Sequence, residues 1–124
     1  MDTGSWEGSD VSDATNVMAV TTPSIPGMRV ERTLGTVWGL VVRSRGLGGN
    51  VVASLRSLAG GEIKEYTEML DQARQHALER MMANAAELGA NAVLSLRFDS
   101  SELGQTMSEI VAYGTAVRVS TDTQ

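Results

Sequence analysis

Between Gly60 and Val93 the chain spells out a complete architectural unit: two glycines, a long stretch of helical periodicity, then Leu88-Gly89-Ala90-Asn91-Ala92-Val93. Tyr66, Met69, Leu70, Ala73, Ala77, Met81, Ala85 and Leu88 recur at spacings of three and four, which gathers them on one helix face. Alanine in the middle of that stripe lets another backbone approach closely, so the face is expected to lie flat on a sheet or a second helix. Glu65, Glu68, Asp71, Gln75, Glu79 and Arg80 supply much of the solvated remainder. Leu88-Gly89 is a stop signal, because a glycine just past the last turn accepts the left-handed cap conformation.

The flanking segments carry the alternation of strands. Val17 to Thr22 is β-rich and is broken by the turn chemistry of Pro23-Ser24-Ile25-Pro26-Gly27. From Met28 the pattern predicts one long strand, bent at Gly35 or Gly39. Met28, Val30, Leu34, Trp38, Leu40 and Val42 fall on one face, with Arg29, Glu31 and Thr33 on the other. A short helix is expected at Leu47, Val51, Val52, Leu55, Leu58 and Ala59. After the long helix, Ala92, Leu94, Leu96 and Phe98 alternate with Asn91, Ser95, Arg97 and Asp99, and Asp99 to Gln105 reads as a hairpin loop. The last strand, Thr106 to Val119, is apolar on both faces: Met107, Val111, Tyr113, Val117 and Val119 on one, Ile110, Ala112 and Ala116 on the other. Such a strand is expected to be covered twice, once by helices and once by another subunit.

A chain of 124 residues suits one domain with a single core. Aromatic content of 4% within a hydrophobic share of 42% means a core of Val, Leu, Ala, Ile and Met. The absence of cysteine removes disulfides, thiolate metal sites and cysteine nucleophiles, and no apolar run approaches the roughly 20 residues that span a bilayer. A soluble, cytoplasmic protein is the expectation. The formal charge of -5 belongs to the tails: Asp2, Glu7, Asp10 and Asp13 precede the body and Asp122 follows it, while the body is neutral. A neutral body without a basic stripe argues against nucleic acid as a partner. Three segments result: an acidic arm over 1–17, one α+β domain over 18–119 and a tail over 120–124. Trp6, flanked by acids in the arm, is a candidate anchor for a protein partner.

Candidate chemistry is sparse. His76 is the only histidine, and Glu79 three residues on could share its helix face. Glu62, Glu65 and Glu68 lead into the long helix, where acids also serve the helix dipole, and Asp99 and Glu102 sit at the expected hairpin. Glu62, His76, Glu79, Asp99 and Glu102 are therefore the residues a divalent metal would have to use. Two arginines and three glycines from Arg43 to Gly49 suit an anion-binding loop or a solvated connection. Their spacing lacks the third glycine of a dinucleotide fingerprint and the Lys-Ser/Thr of a phosphate loop. No serine elbow or triad is present, and the chain reads as non-enzymatic.

A set of ordered motifs resembles the YbjQ-like family, whose domain bears the description putative heavy-metal-binding. The motifs are Thr21-Thr22-Pro23 with Gly27, Leu34-Gly35 and Val37-x-Gly39, Ala53-x-Leu55-Arg56, Gly60-Gly61 with Tyr66, Ala73-Arg74-x-x-Ala77, Leu88-Gly89-Ala90-Asn91-Ala92-Val93 and Gly114-Thr115-Ala116-Val117. They span Met18 to Val119. The resemblance implies a compact α+β domain that assembles as a ring-like homo-oligomer, typically of five subunits, and it implies no defined activity. Arg97 stands where an acid is usual in that family, and Glu62-Ile63-Lys64 replaces its Arg-Ser-Gly after the double glycine. The expected fold is α+β, a small antiparallel or mixed β-sheet packed against one short and one long helix in a ring-forming homo-oligomer. The expected function is that of an oligomeric binding or scaffold protein, with carboxylate metal binding as the alternative and an enzyme with an inter-subunit site as a third.

Overall fold

The structure, a computed structural model, describes residues 16–44, 64–104 and 107–122. Four strands and a helix follow in chain order: β1 (Met18–Ala19), β2 (Met28–Ser44), α1 (Lys64–Glu87), β3 (Ala92–Leu103) and β4 (Met107–Thr121). The strand order is β1-β3-β4-β2, with β1 parallel to β3 and the other pairs antiparallel, which makes a mixed sheet.

The expectation of a short and a long helix on the sheet is corrected. One helix, α1, packs on it among the described residues, and the segment read as the short helix lies outside them. The 24 residues of α1 extend about 36 Å, enough to cross the inner face of the sheet. Ala73, Ala77, Met81 and Ala85 are fully or nearly fully buried against Val37, Val41, Val93, Leu96, Ile110, Ala112 and Ala116. The ends of the predicted stripe do not share this burial: Met69, Leu70 and Leu88 are exposed.

Contact between α1 and β2 is backbone to backbone at Gly39. A methyl group there would overlap Ala77 O and Met81 N, so only glycine opposite an alanine stripe permits this approach. Gly39 thereby fixes the phase of β2. Val37, Gly39 and Val41 turn inward, while Trp38, Leu40 and Val42 turn outward and are exposed. The bend expected at Gly35 or Gly39 falls at Gly35, where φ is 119° and the register shifts between Thr33 and Gly35; a second shift lies between Val30 and Arg32.

The helix ends as its sequence directs. Ala90 N donates to Ala85 O at 3.0 Å and Gly89 N to Ala86 O at 2.9 Å, the pair of bonds that closes a Schellman cap, with Gly89 at φ 90°. The chain enters β3 at once. There the single alternation expected of Ala92 to Phe98 is corrected by a bulge. Ser95 takes φ 55°, and the β3–β4 register jumps between Leu94 and Arg97, so Leu94 packs on the outer cluster and Leu96 on the inner one. The expected hairpin loop over Asp99 to Gln105 is also corrected. Residues Asp99 to Leu103 pair with β4 from Val111 to Met107, and the turn begins at Gly104, φ 71°. Asp99 to Leu103 are exposed, which explains why strand residues there read as a loop.

Candidate functional site

The two faces of the sheet differ sharply. Helix α1 covers the inner one. The lower outer face is covered by the segment joining β1 to β2: Val20, Ile25 and Met28 pack on Ala92, Leu94, Val117 and Val119. Arg97 straps that segment down, donating from Nη1 to Thr21 O at 3.1 Å and Leu96 O at 2.8 Å, while Ser95 N donates to Thr22 O at 2.9 Å. The upper outer face has no cover among the described residues. Register places Trp38, Tyr113 and Arg97 in one row across β2, β4 and β3, and Leu40, Val111 and Asp99 in the next. Trp38 is 56% exposed, Tyr113 38% and Val42 48%, so these rows form an apolar, aromatic surface with polar groups on the β3 side.

β2 is an edge strand, and α1 side chains occupy its outward carbonyls. Asn84 Nδ2 donates to Trp38 O at 2.8 Å and Arg80 Nη1 to Leu40 O at 2.7 Å. One turn earlier, Arg43 Nη2 donates to His76 Nδ1 at 2.6 Å, which requires that nitrogen unprotonated. Arg43 Nε beneath is buried and has no partner among the described residues. Pairing of a further strand onto this edge is thus obstructed at Trp38 and Leu40.

The sequence candidates are scattered over this frame. His76 sits on α1 against the Arg43 guanidinium, Glu79 is exposed on the same helix, and Asp99 and Glu102 lie on exposed β3. Glu62 and Trp6 lie outside the described residues. Among the described residues no group of three His, Asp or Glu side chains comes together to hold a metal, so the donors described do not fit a divalent-ion centre. No helix among them is long and apolar enough to cross a membrane.

Sequence reasoning missed an open cleft of about 650 Å3 at the lower end of the sheet, lined by Met18, Ile25, Met28, Ala90, Arg118 and Val119 among others. Beside it Arg118 Nη1 donates to Gly89 O at 3.3 Å. Further along, Ser120 Oγ and Arg29 Nε both hydrogen-bond Glu31 Oε2, the latter at 3.0 Å. The Ser120 bond, then the Arg29 bond and charge, hold the Glu31 carboxyl below the usual carboxylate range. Only register, which a sequence does not state, brings these residues from β2 and β4 together.

With the fold in view, comparison with known proteins is decisive at the level of family. Residues 17–120 match the YbjQ family, described as Putative heavy-metal-binding. The chain belongs to this family. Similar YbjQ-type relatives include a UPF0145 protein of Methanocella arvoryzae, 57% identical over 108 residues, covering 87% of this chain and 90% of that one. Another, a UPF0145 protein of Thermoplasma acidophilum, is 64% identical over 104 residues, with 84% and 87% covered. The fold also resembles the crystal structure of a protein of unknown function from Pediococcus pentosaceus assigned to the DUF74 family. That likeness has a TM-score of 0.55 at 17% identity, covering 84% of this chain and 98% of the other, and it speaks for the fold alone.

Proposed function

We propose that the protein is a non-enzymatic homo-oligomeric binding or scaffold protein, acting in the cytoplasm, whose subunits bury the upper outer sheet face against one another. The observation that carries this reading is the uncovered row of Trp38 and Tyr113 with Leu40, Val42 and Val111 beside it. Exposed apolar surface of this extent, rimmed by polar groups, is characteristic of an interface. A second copy is the occupant favoured by the rim, because Arg97 on one copy and Asp99 or Glu109 on another offer opposite charges on the same face. Asn84 and Arg80 block edge-to-edge pairing at Trp38 and Leu40, which favours packing through the face over growth of the sheet. Five subunits is the count that the family resemblance suggests, and Trp6 is the proposed contact for a further protein partner.

Native mass spectrometry of the full chain tests the assembly. A discrete oligomer is expected, and Trp38→Glu is expected to dissociate it while leaving a folded monomer, since Trp38 carries little of the core. A native protein that is monomeric at all concentrations would remove the proposal. Metal binding takes the lower place because His76 is bound to a guanidinium and no three of the described His, Asp and Glu side chains come together. Zinc or nickel ions that raise the melting temperature of chelator-treated protein, with loss of the effect in His76→Ala, would reverse that order.

A further inference from the structure

Arg32 and Arg118 are direct cross-strand partners in the β2–β4 ladder. Their Cβ atoms are therefore about 5 Å apart on one face, an arrangement in which like charges destabilise a sheet. Arg118 lies on the helix side, beyond the end of α1, as its bond to Gly89 O shows. Arg32 shares that side and has no hydrogen bond or ion pair among the described residues, and neither guanidinium is paired with a carboxylate there. The acids nearby are engaged elsewhere: Glu31 with Arg29 and Ser120, Asp122 with Arg29 at 4.0 Å.

The backbone around this pair is shaped. Register shifts between Val30 and Arg32 and between Thr33 and Gly35 isolate Arg32 and Thr33 as two regular pairs between bulges. Bulges re-aim side chains and are enriched beside binding sites. On the other side of Arg118 opens the cleft of about 650 Å3, whose Met18, Ile25, Met28, Ala90 and Val119 give it an apolar wall. That volume lies in the range of small-molecule pockets.

We infer that Arg32 and Arg118 form a clamp for the phosphate group of a small organic phosphate monoester, whose apolar portion enters the adjoining cleft. Two guanidinium forks match the charge of a phosphate dianion, and Arg binds phosphate oxygens through paired N–H donors. Occupancy by the anion converts the like-charge pair from a cost into an attraction. This inference is independent of the assembly proposed above, since it uses the opposite end of the sheet.

The test is titration of the full-length protein with inorganic phosphate and with phenyl phosphate, followed by amide shifts in NMR spectra, against sodium chloride at matched ionic strength. Saturable shifts centred on Arg32, Gly89 and Arg118 are expected with both phosphates, and phenyl phosphate is expected to bind tighter. Arg32→Gln and Arg118→Gln should each weaken phosphate binding by roughly tenfold or more, the scale of a lost charge-assisted pair, while Arg29→Gln leaves it unchanged. In phosphate-free buffer Arg32→Gln should raise the melting temperature, because it relieves the repulsion. Shifts no larger than those from sodium chloride, or parental affinity in either glutamine variant, would overturn the clamp. Equal affinity for the two phosphates would overturn the role of the cleft, and a melting temperature lowered by Arg32→Gln would overturn the repulsion from which the inference starts.

Discussion

The side chain of Asn91 stands opposite Val119 as a substitute for strand backbone: Val119 N donates to Asn91 Oδ1 at 2.8 Å and Asn91 Nδ2 donates to Val119 O at 2.9 Å. One carboxamide thus extends the β3–β4 ladder past the point where the chain turns off into the helix cap. An aliphatic side chain could not do this. Asn91→Ala leaves both Val119 groups half-buried and unpaired, and is expected to cost about 2–6 kcal/mol, at roughly 1–3 kcal/mol per orphaned group. Asn91→Asp keeps the acceptor and should cost less. Urea denaturation of the two variants beside the parent checks the order.

Gly39→Ala is expected to destabilise the domain by about 3 kcal/mol, the upper part of the overpacking range, since the added methyl meets backbone that a rotamer change cannot move. The measurement is again the denaturation midpoint. Gly114→Ala, whose Cβ would approach Val93 Cγ1 at 2.6 Å and Leu94 O at 2.8 Å, provides the comparison. A value within experimental error of the parent for Gly39→Ala would mean that α1 lifts from β2 freely.

Asn84→Ala frees Trp38 O and Arg80→Ala frees Leu40 O on the edge of β2. Each change is expected to cost about 1 kcal/mol, the net worth of an ordinary hydrogen bond. The double variant should also scatter more light on concentration, because unpaired edge groups recruit other strands. Melting temperature and static light scattering report the two effects separately.

Glu31 links acidity to stability. Its folded pKa is depressed by Ser120 and Arg29, so it contributes stability that is present above the unfolded carboxylate pKa and is lost as pH falls through the folded one. Ser120→Ala removes the largest single cause and Arg29→Gln removes a charge, and each should raise the Glu31 pKa. Side-chain NMR titration of the carboxyl carbon reads both shifts.

Much of this fold was legible because its signals are local. The alanine stripe, the Leu88-Gly89 stop and the two-faced β4 all specify their own structure, and each lies where the periodicity placed it. The orientation of β2 was not legible in the same way. Its larger side chains, Trp38, Leu40 and Val42, mark the outward face, and the inward face is chosen by a residue with no side chain, Gly39, which matters only when α1 is present to touch it. Ser95 hid the phase change in β3 for a related reason, since serine carries no propensity for the left-handed conformation that it adopts. The Arg32–Arg118 pair and the Glu31–Ser120 bond depend on the β2–β4 register, which two bulges set over a long separation in sequence.

That separation bears on how the chain reaches its native state. β3 and β4 are neighbours in sequence and can zip from Gly104 as a hairpin, but every partner of β2 lies beyond α1 and β3, and β1 must find β3 from the far side of both β2 and α1. Strand β2 therefore waits, its apolar residues unsatisfied, until the last strand exists. Topologies of this kind fold more slowly than helical bundles, whose contacts are local. On the ribosome the first half of the domain emerges long before its template, and the interval in which Val37 and Val41 are exposed on an unpaired strand is when a nascent chain of this kind most needs protection.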